Sequence, residues 1–162
     1  MKFFLALSIL TALVVAPASA QTPTGMDAMN YYVGNWACLG GPTDDPPVKA
    51  VITVAMSGGL LIEHIGVPMQ TGMPMVLSQN SAIDSTPAGY TRTEIDNFGS
   101  WRVSKAAPFT GNTEDWTDVA SYNGTLGHGQ TIRTDQNHFT SLMYATAKNT
   151  TPNFKATCER QT

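Results

Sequence analysis

The chain has 162 residues and a formal net charge of −3, and only 13% of it is charged. Lys and Arg cluster nowhere, so the basic patches that bind nucleic acid or anionic membrane surfaces are missing, and both drop out as partner classes. Sparse Glu and Lys beside plentiful Gly, Thr and Asn also argue against a helical fold, whose exposed faces are normally rich in both charges.

The first element reads as a leader. Lys2 precedes an apolar stretch over 3–15, broken by Ser8 and Thr11, and then come Pro17 and Ala18-Ser19-Ala20. A charged start, an apolar centre and a small-residue cleavage site predict a secretion signal over 1–20. The apolar stretch is shorter than the ~20 residues needed to cross a bilayer. The expectation is a mature chain starting at Gln21, periplasmic or secreted, without stable membrane insertion. Its 142 residues, with eight basic and twelve acidic side chains, suit one domain over 21–162.

Residues 27–33 read as helical, with Asp27 as N-cap and Met29, Tyr32 and Val33 on one apolar face. Beyond them, prolines and glycines fall between apolar runs, as at 40–42, 58–59, 68–74, 87–89, 108–111 and 123–124. Proline cannot donate to a ladder and glycine tolerates positive φ, so these positions mark turns. They delimit ten runs of strand length: 34–40, 48–57, 60–67, 75–83, 89–97, 100–106, 113–121, 129–135, 138–145 and 153–160. In the second run Val48, Ala50, Ile52, Val54 and Met56 share one side. Short, even, tightly connected strands predict an all-β fold, a closed antiparallel up-and-down barrel of about ten strands with a short N-terminal helix. Cys38 and Cys158 stand near opposite ends of the mature chain. In an oxidising compartment such a pair reads as a disulfide that sets the first and last strands side by side, the alternative being two separate buried thiols.

Candidate chemistry follows in chain order. His64 heads a segment containing Met69, Met73 and Met75. Imidazole and thioethers suit Cu(I), whereas their irregular spacing around Pro68 and Pro74 fits an adaptable apolar lid or plain core filling. The fifth run puts Tyr90, Arg92, Glu94 and Asp96 on one face, and a solvated exterior of alternating charge is the favoured reading. Turned inward, the same face offers an anion-binding Arg with two carboxylates for acid–base work. Trp101 and Trp116 suit a pocket wall or a filled core. His128 lies in a Gly-flanked loop as a spectator, while His138 shares a face with Thr140, Leu142 and Tyr144 and can enter a cavity. No Ser-His-Asp set at motif spacing, phosphate loop or Cys and His cluster for zinc is present. Asn123-Gly124-Thr125 and Asn149-Thr150-Thr151 match the glycosylation pattern, which a leader of bacterial type leaves unused.

Gly34-Asn35-Trp36 opens the first strand directly after the helical turn. This resembles the Gly-x-Trp signature of calycin barrels, lipocalins and nitrobindin-type domains. With ten strands and no long helix after Cys158, the chain is more similar to nitrobindin-like and lipocalin-like bacterial families than to true lipocalins. It departs from the nitrobindin-type pattern in placing Ala37-Cys38-Leu39 between the Trp and Gly40-Gly41, and it lacks the lipocalin Thr-Asp-Tyr loop. The resemblance implies that Trp36 plugs one end of the barrel and that the interior holds a small molecule. In nitrobindin-like barrels a late histidine ligates haem iron, a part that falls to His138 here. The expected function is extracytoplasmic binding of a small apolar or amphipathic ligand by Tyr90, Arg92, Trp101, Trp116, His138, Met73 and Met75. A ligand-free envelope protein with a packed interior is the second reading. An enzyme using Arg92, Glu94 or His138 is the third.

Overall fold

Glycine and proline cut the chain into strands where the sequence predicts. The computed structural model describes residues 25–67 and 78–162, so the leader expected over 1–20 and Met69, Met73 and Met75 lie outside the described residues. A 3-10 helix, Gly25–Tyr32, leads into β1 (Gly34–Pro42), β2 (Val48–Ser57), β3 (Leu60–Gly66), β4 (Ser78–Thr86) and β5 (Gly89–Asp96). These are followed by β6 (Trp101–Ala106), β7 (Thr113–Ser121), β8 (His128–Arg133), β9 (His138–Tyr144) and β10 (Phe154–Gln161). Each strand pairs antiparallel with its sequence neighbours, and β10 returns to pair with β1, closing the barrel.

The fourth strand departs from its expected limits. It runs to Thr86 because Thr86 pairs with Gly89 and Ser85 with Tyr90, so that Pro87-Ala88 alone make the hairpin turn. The helical segment is wound as a 3-10 helix that buries Ala28, Met29 and Tyr32, where an α-helical spacing had pointed to Met29, Tyr32 and Val33.

Closure is reinforced covalently. Cys38 and Cys158 face each other across the β1–β10 seam and form a disulfide, with Cα atoms 4.0 Å apart. Both cysteines are buried, which puts the disulfide on the inner surface. Strand alternation then sends Trp36, two residues before Cys38, and Arg160, two after Cys158, to the same side, where they are paired in register.

One end of the barrel is plugged. Trp36 is fully buried and donates from Nε1 to the Tyr32 carbonyl at 2.8 Å. Its ring packs against Phe139 at 4.8 Å, and the Arg160 guanidinium lies over it at 4.2 Å. Arg160 in turn donates to the carbonyls of Val33, at 2.6 Å, and Tyr31, tying the helix to the last strand. Gly34 meets a geometric need here: its φ is +130°, and a Cβ on it would stand 2.9 Å from Arg160. Leu61, Ile83, Val54, Met29 and Phe139 complete this floor.

Candidate functional site: a cavity with two unlike walls

Above the floor the barrel is hollow. The cavity has a volume of 520 Å³, within the range of about 300–1,000 Å³ usual for small-molecule sites. Small residues create the space on one side. A Cβ on Gly40 would lie 2.5 Å from the Cβ of Ala156, so β1 and β10 approach closely there and no side chain fills the gap. Around this point β10, β1 and β2 supply Phe154, Ala156, the disulfide, Val48, Ala50 and Ile52, an apolar wall.

The opposite wall is charged. β3 to β7 turn Glu63, Gln79, Arg92, Glu94, Arg102 and Trp116 toward the cavity, while Ser81 and Ser104 are buried in the same wall. The register aligns Glu63 with Ser81, Ser81 with Glu94, and Glu94 with Arg102, a polar row across four strands. Glu94 accepts from Gln79 Nε2 at 2.7 Å and pairs with Arg102 Nε at 2.5 Å and Arg92 Nε at 3.7 Å. The Arg92 guanidinium lies over the Trp116 ring at 4.6 Å. Burial works against the charge of Arg92, but Glu94, Glu63, Asp118 and Glu114 outweigh it and raise its pKa. Burial pushes the Glu63 carboxyl up; Arg92 opposes this and Glu94 adds to it.

A second buried group sits deeper. Glu114 accepts from the Tyr32 hydroxyl at 2.5 Å and from Arg133 Nε at 2.9 Å. Arg133 packs over Tyr31 and Tyr32. Burial raises the pKa of both Tyr32 and Glu114, in the latter against the pull of Arg133. With its partners satisfied inside the protein, this set reads as a structural anchor for the helix. Sequence reasoning missed it, since Tyr32, Glu114 and Arg133 are far apart in the chain and meet only on barrel closure.

The expected site residues separate accordingly. The fifth-strand face points inward, contrary to the favoured solvated reading: Tyr90 and Glu94 are buried, whereas Ile95 on the other face is exposed. The charges tolerate this because they are paired across strands within the cavity wall. Arg92 and Trp116 line the cavity, whereas Tyr90 belongs to the floor, stacked on Phe109 at 4.3 Å and donating to the Gly25 carbonyl at 2.7 Å. Trp101 lies outside the interior. It is 42% exposed at the rim, beside Tyr122, in a 360 Å³ vestibule that shares Gln79, Glu94 and Arg102 with the cavity.

His138 is also misplaced as an interior ligand. It alternates with the inward Phe139, so it stands on the outer face, with Nδ1 held 2.8 Å from Asp135 Oδ1. That contact, after the backbone amide of Asn137, helps hold the Asp135 carboxyl below its ordinary range. The residues present therefore do not fit a haem held by His138. His64 is exposed and bonded to Asn80 at 2.9 Å, and His128 stacks on the outward Tyr144 at 4.1 Å. Among the described residues no group of three or more His, Cys, Asp or Glu is arranged to hold a metal.

Comparison with known proteins bears on the fold alone. No family model matches the chain, and no curated protein does. Among solved structures the chain is similar to Rv2717c from M. tuberculosis, with a TM-score of 0.62 at 13% identity over 85% of this chain and 97% of that one. A redesigned beta barrel, b11L5F_LGL, aligns with a TM-score of 0.43 at 12% identity over 82% of this chain and 94% of that one. The likeness to Rv2717c shows a shared barrel fold.

Proposed function

We propose that the protein binds a small amphipathic molecule inside the barrel, outside the cytoplasm. The observation that carries this reading is the 520 Å³ cavity with an apolar wall on β10, β1 and β2 opposite a charged wall on β3 to β7. A purely apolar guest would strip solvent from the polar row, where Glu63 closes no ion pair, a costly state for a buried charge. A purely polar guest would waste the apolar wall. The hollow interior favours a binding protein over a packed envelope component.

The disulfide supports an oxidising compartment, in keeping with the leader read from the sequence. Among the described residues no helix is long and apolar enough to cross a membrane. The strand positions alternating with the cavity wall include Lys49, Asp84, Lys105, Asp115, Lys155 and Glu159, unlike the apolar band that a membrane-spanning barrel turns to lipid.

Native mass spectrometry of protein purified from its own compartment tests the reading. The expected result is an added mass released on denaturation and absent from Ala50→Trp, which places a large ring in the cavity. Protein that carries no added mass and takes none up from a total lipid extract overturns it.

A further inference from the structure

The charged wall is unbalanced. Glu94 is engaged by Arg102 and Arg92, and Asp118 accepts from Ser104 Oγ at 2.7 Å and from the Gly127 amide at 3.1 Å. Glu63 has Arg92 as its neighbouring cation, and among the described residues no ion pair closes on it. On the cavity lining two arginines, Arg92 and Arg102, thus face three carboxylates, Glu63, Glu94 and Asp96, beside the Glu114–Arg133 pair. Beside Glu63 in register is Ser81, 3% exposed, whose Oγ is buried without a well-aligned hydrogen bond. A buried hydroxyl and a carboxylate that closes no ion pair therefore lie side by side in this wall, with Glu63 reaching the cavity.

Resting on the amphipathic reading above, we propose that the ligand is a cationic amphiphile whose primary ammonium sits against Glu63, Ser81 and Glu94, with its hydrocarbon along the β10–β1–β2 wall. An ammonium brings three donors and no acceptor, which matches Glu63, Ser81 and Glu94; the unpartnered donor in the row, Arg92 Nε, belongs to the guanidinium that Trp116 covers. It also supplies the missing positive charge. A carboxylate head group would add a fourth negative charge and would have to reach Arg92 past Glu94 and Glu63, while the face of that guanidinium is already covered by Trp116. Like charges brought together in such a site oppose binding.

Dodecylamine, dodecanol and dodecanoate share one chain and differ only in head group, so competition with N-phenyl-1-naphthylamine fluorescence at neutral pH separates the possibilities. Dodecylamine is expected to bind about tenfold or more tightly than dodecanol, with dodecanoate weakest, as one charge-assisted contact in a poorly hydrated site allows. Glu63→Gln should remove about that same tenfold from dodecylamine and leave dodecanol within about twofold. Equal affinity for amine and alcohol, or a preference for dodecanoate, overturns the cationic head group while leaving amphiphile binding intact. Failure of all three to displace the probe or to bind removes both readings. If Glu63→Gln also loses dodecanol, the variant has lost its barrel, and the ranking in the unaltered protein decides.

Discussion

Trp36 shows how much of the barrel depends on one side chain. It is fully buried, hydrogen-bonded to Tyr32, and covered by Phe139 and Arg160. Removing an aromatic ring from such a site costs about 3–5 kcal/mol through lost burial and the cavity left behind. Trp36→Ala should lower the denaturant midpoint by that equivalent at unchanged slope; a loss below about 1 kcal/mol would mean that the floor re-forms without the ring. Glu63 has the opposite sign. Its folded pKa is raised by burial, with Glu94 adding and Arg92 opposing, so the native state holds its proton more tightly than the unfolded chain does. The associated stability is present below the ordinary glutamate pKa and is lost as pH rises through the raised value. Facing Glu63 are Ser81, Arg92, Glu94 and Glu114. Glu63→Gln should therefore flatten the fall of the melting temperature that accompanies the rise of pH through that raised value. An unchanged pH profile in the variant would show that Glu63 is not the group responsible.

At the level of strands, β1 and β10 carry the seam. The disulfide joins residues 120 positions apart, a loop for which the chain-entropy model gives about 4–5 kcal/mol. Replacing both cysteines by serine should lower stability by about that amount in guanidinium unfolding. A loss under about 1 kcal/mol would show that the ladder alone holds the seam. The seam also shows what was legible. Turn chemistry marked the strands, because Pro and Gly act locally, and the cysteine pair announced closure. From that pair, antiparallel register leads directly from Cys38 and Cys158 to Trp36 opposite Arg160, so the Arg160 contact could have been found. The orientation of β5 could not. Tyr90, Arg92, Glu94 and Asp96 alternate with Thr91, Thr93 and Ile95, and neither set is apolar enough to declare itself the inner one. Their direction is decided by partners on β4 and β6, Gln79 and Arg102, which no local window contains. His138 misled for a similar reason, since its face-sharing neighbours Leu142 and Tyr144 are apolar or aromatic, yet His138 is exposed and the next residue, Phe139, is the buried one.

Among the described residues the barrel has a tight base and an exposed aromatic rim at the opposite end. Leu61, Trp36 and Met29 are fully buried at the base, whereas Phe98, Trp101 and Tyr122 are exposed at the rim. Amide exchange should follow the same gradient: protons on β1, β3 and β10 near the base are released only on global unfolding, and those at 97–100 and 122–127 exchange through local opening. Uniform protection from base to rim would contradict this division. Addition of dodecylamine should slow exchange at the mouth while leaving the base unaffected, if the guest lies where the charged row places it. The antiparallel seam has one more consequence. Asn35 lies opposite Gln161 and the 3-10 helix packs under the base, so the polypeptide enters and leaves the barrel at its sealed pole. A fusion partner, affinity tag or surface tether attached after β10 would hang beneath the base, leaving the opposite rim pointing away from the support.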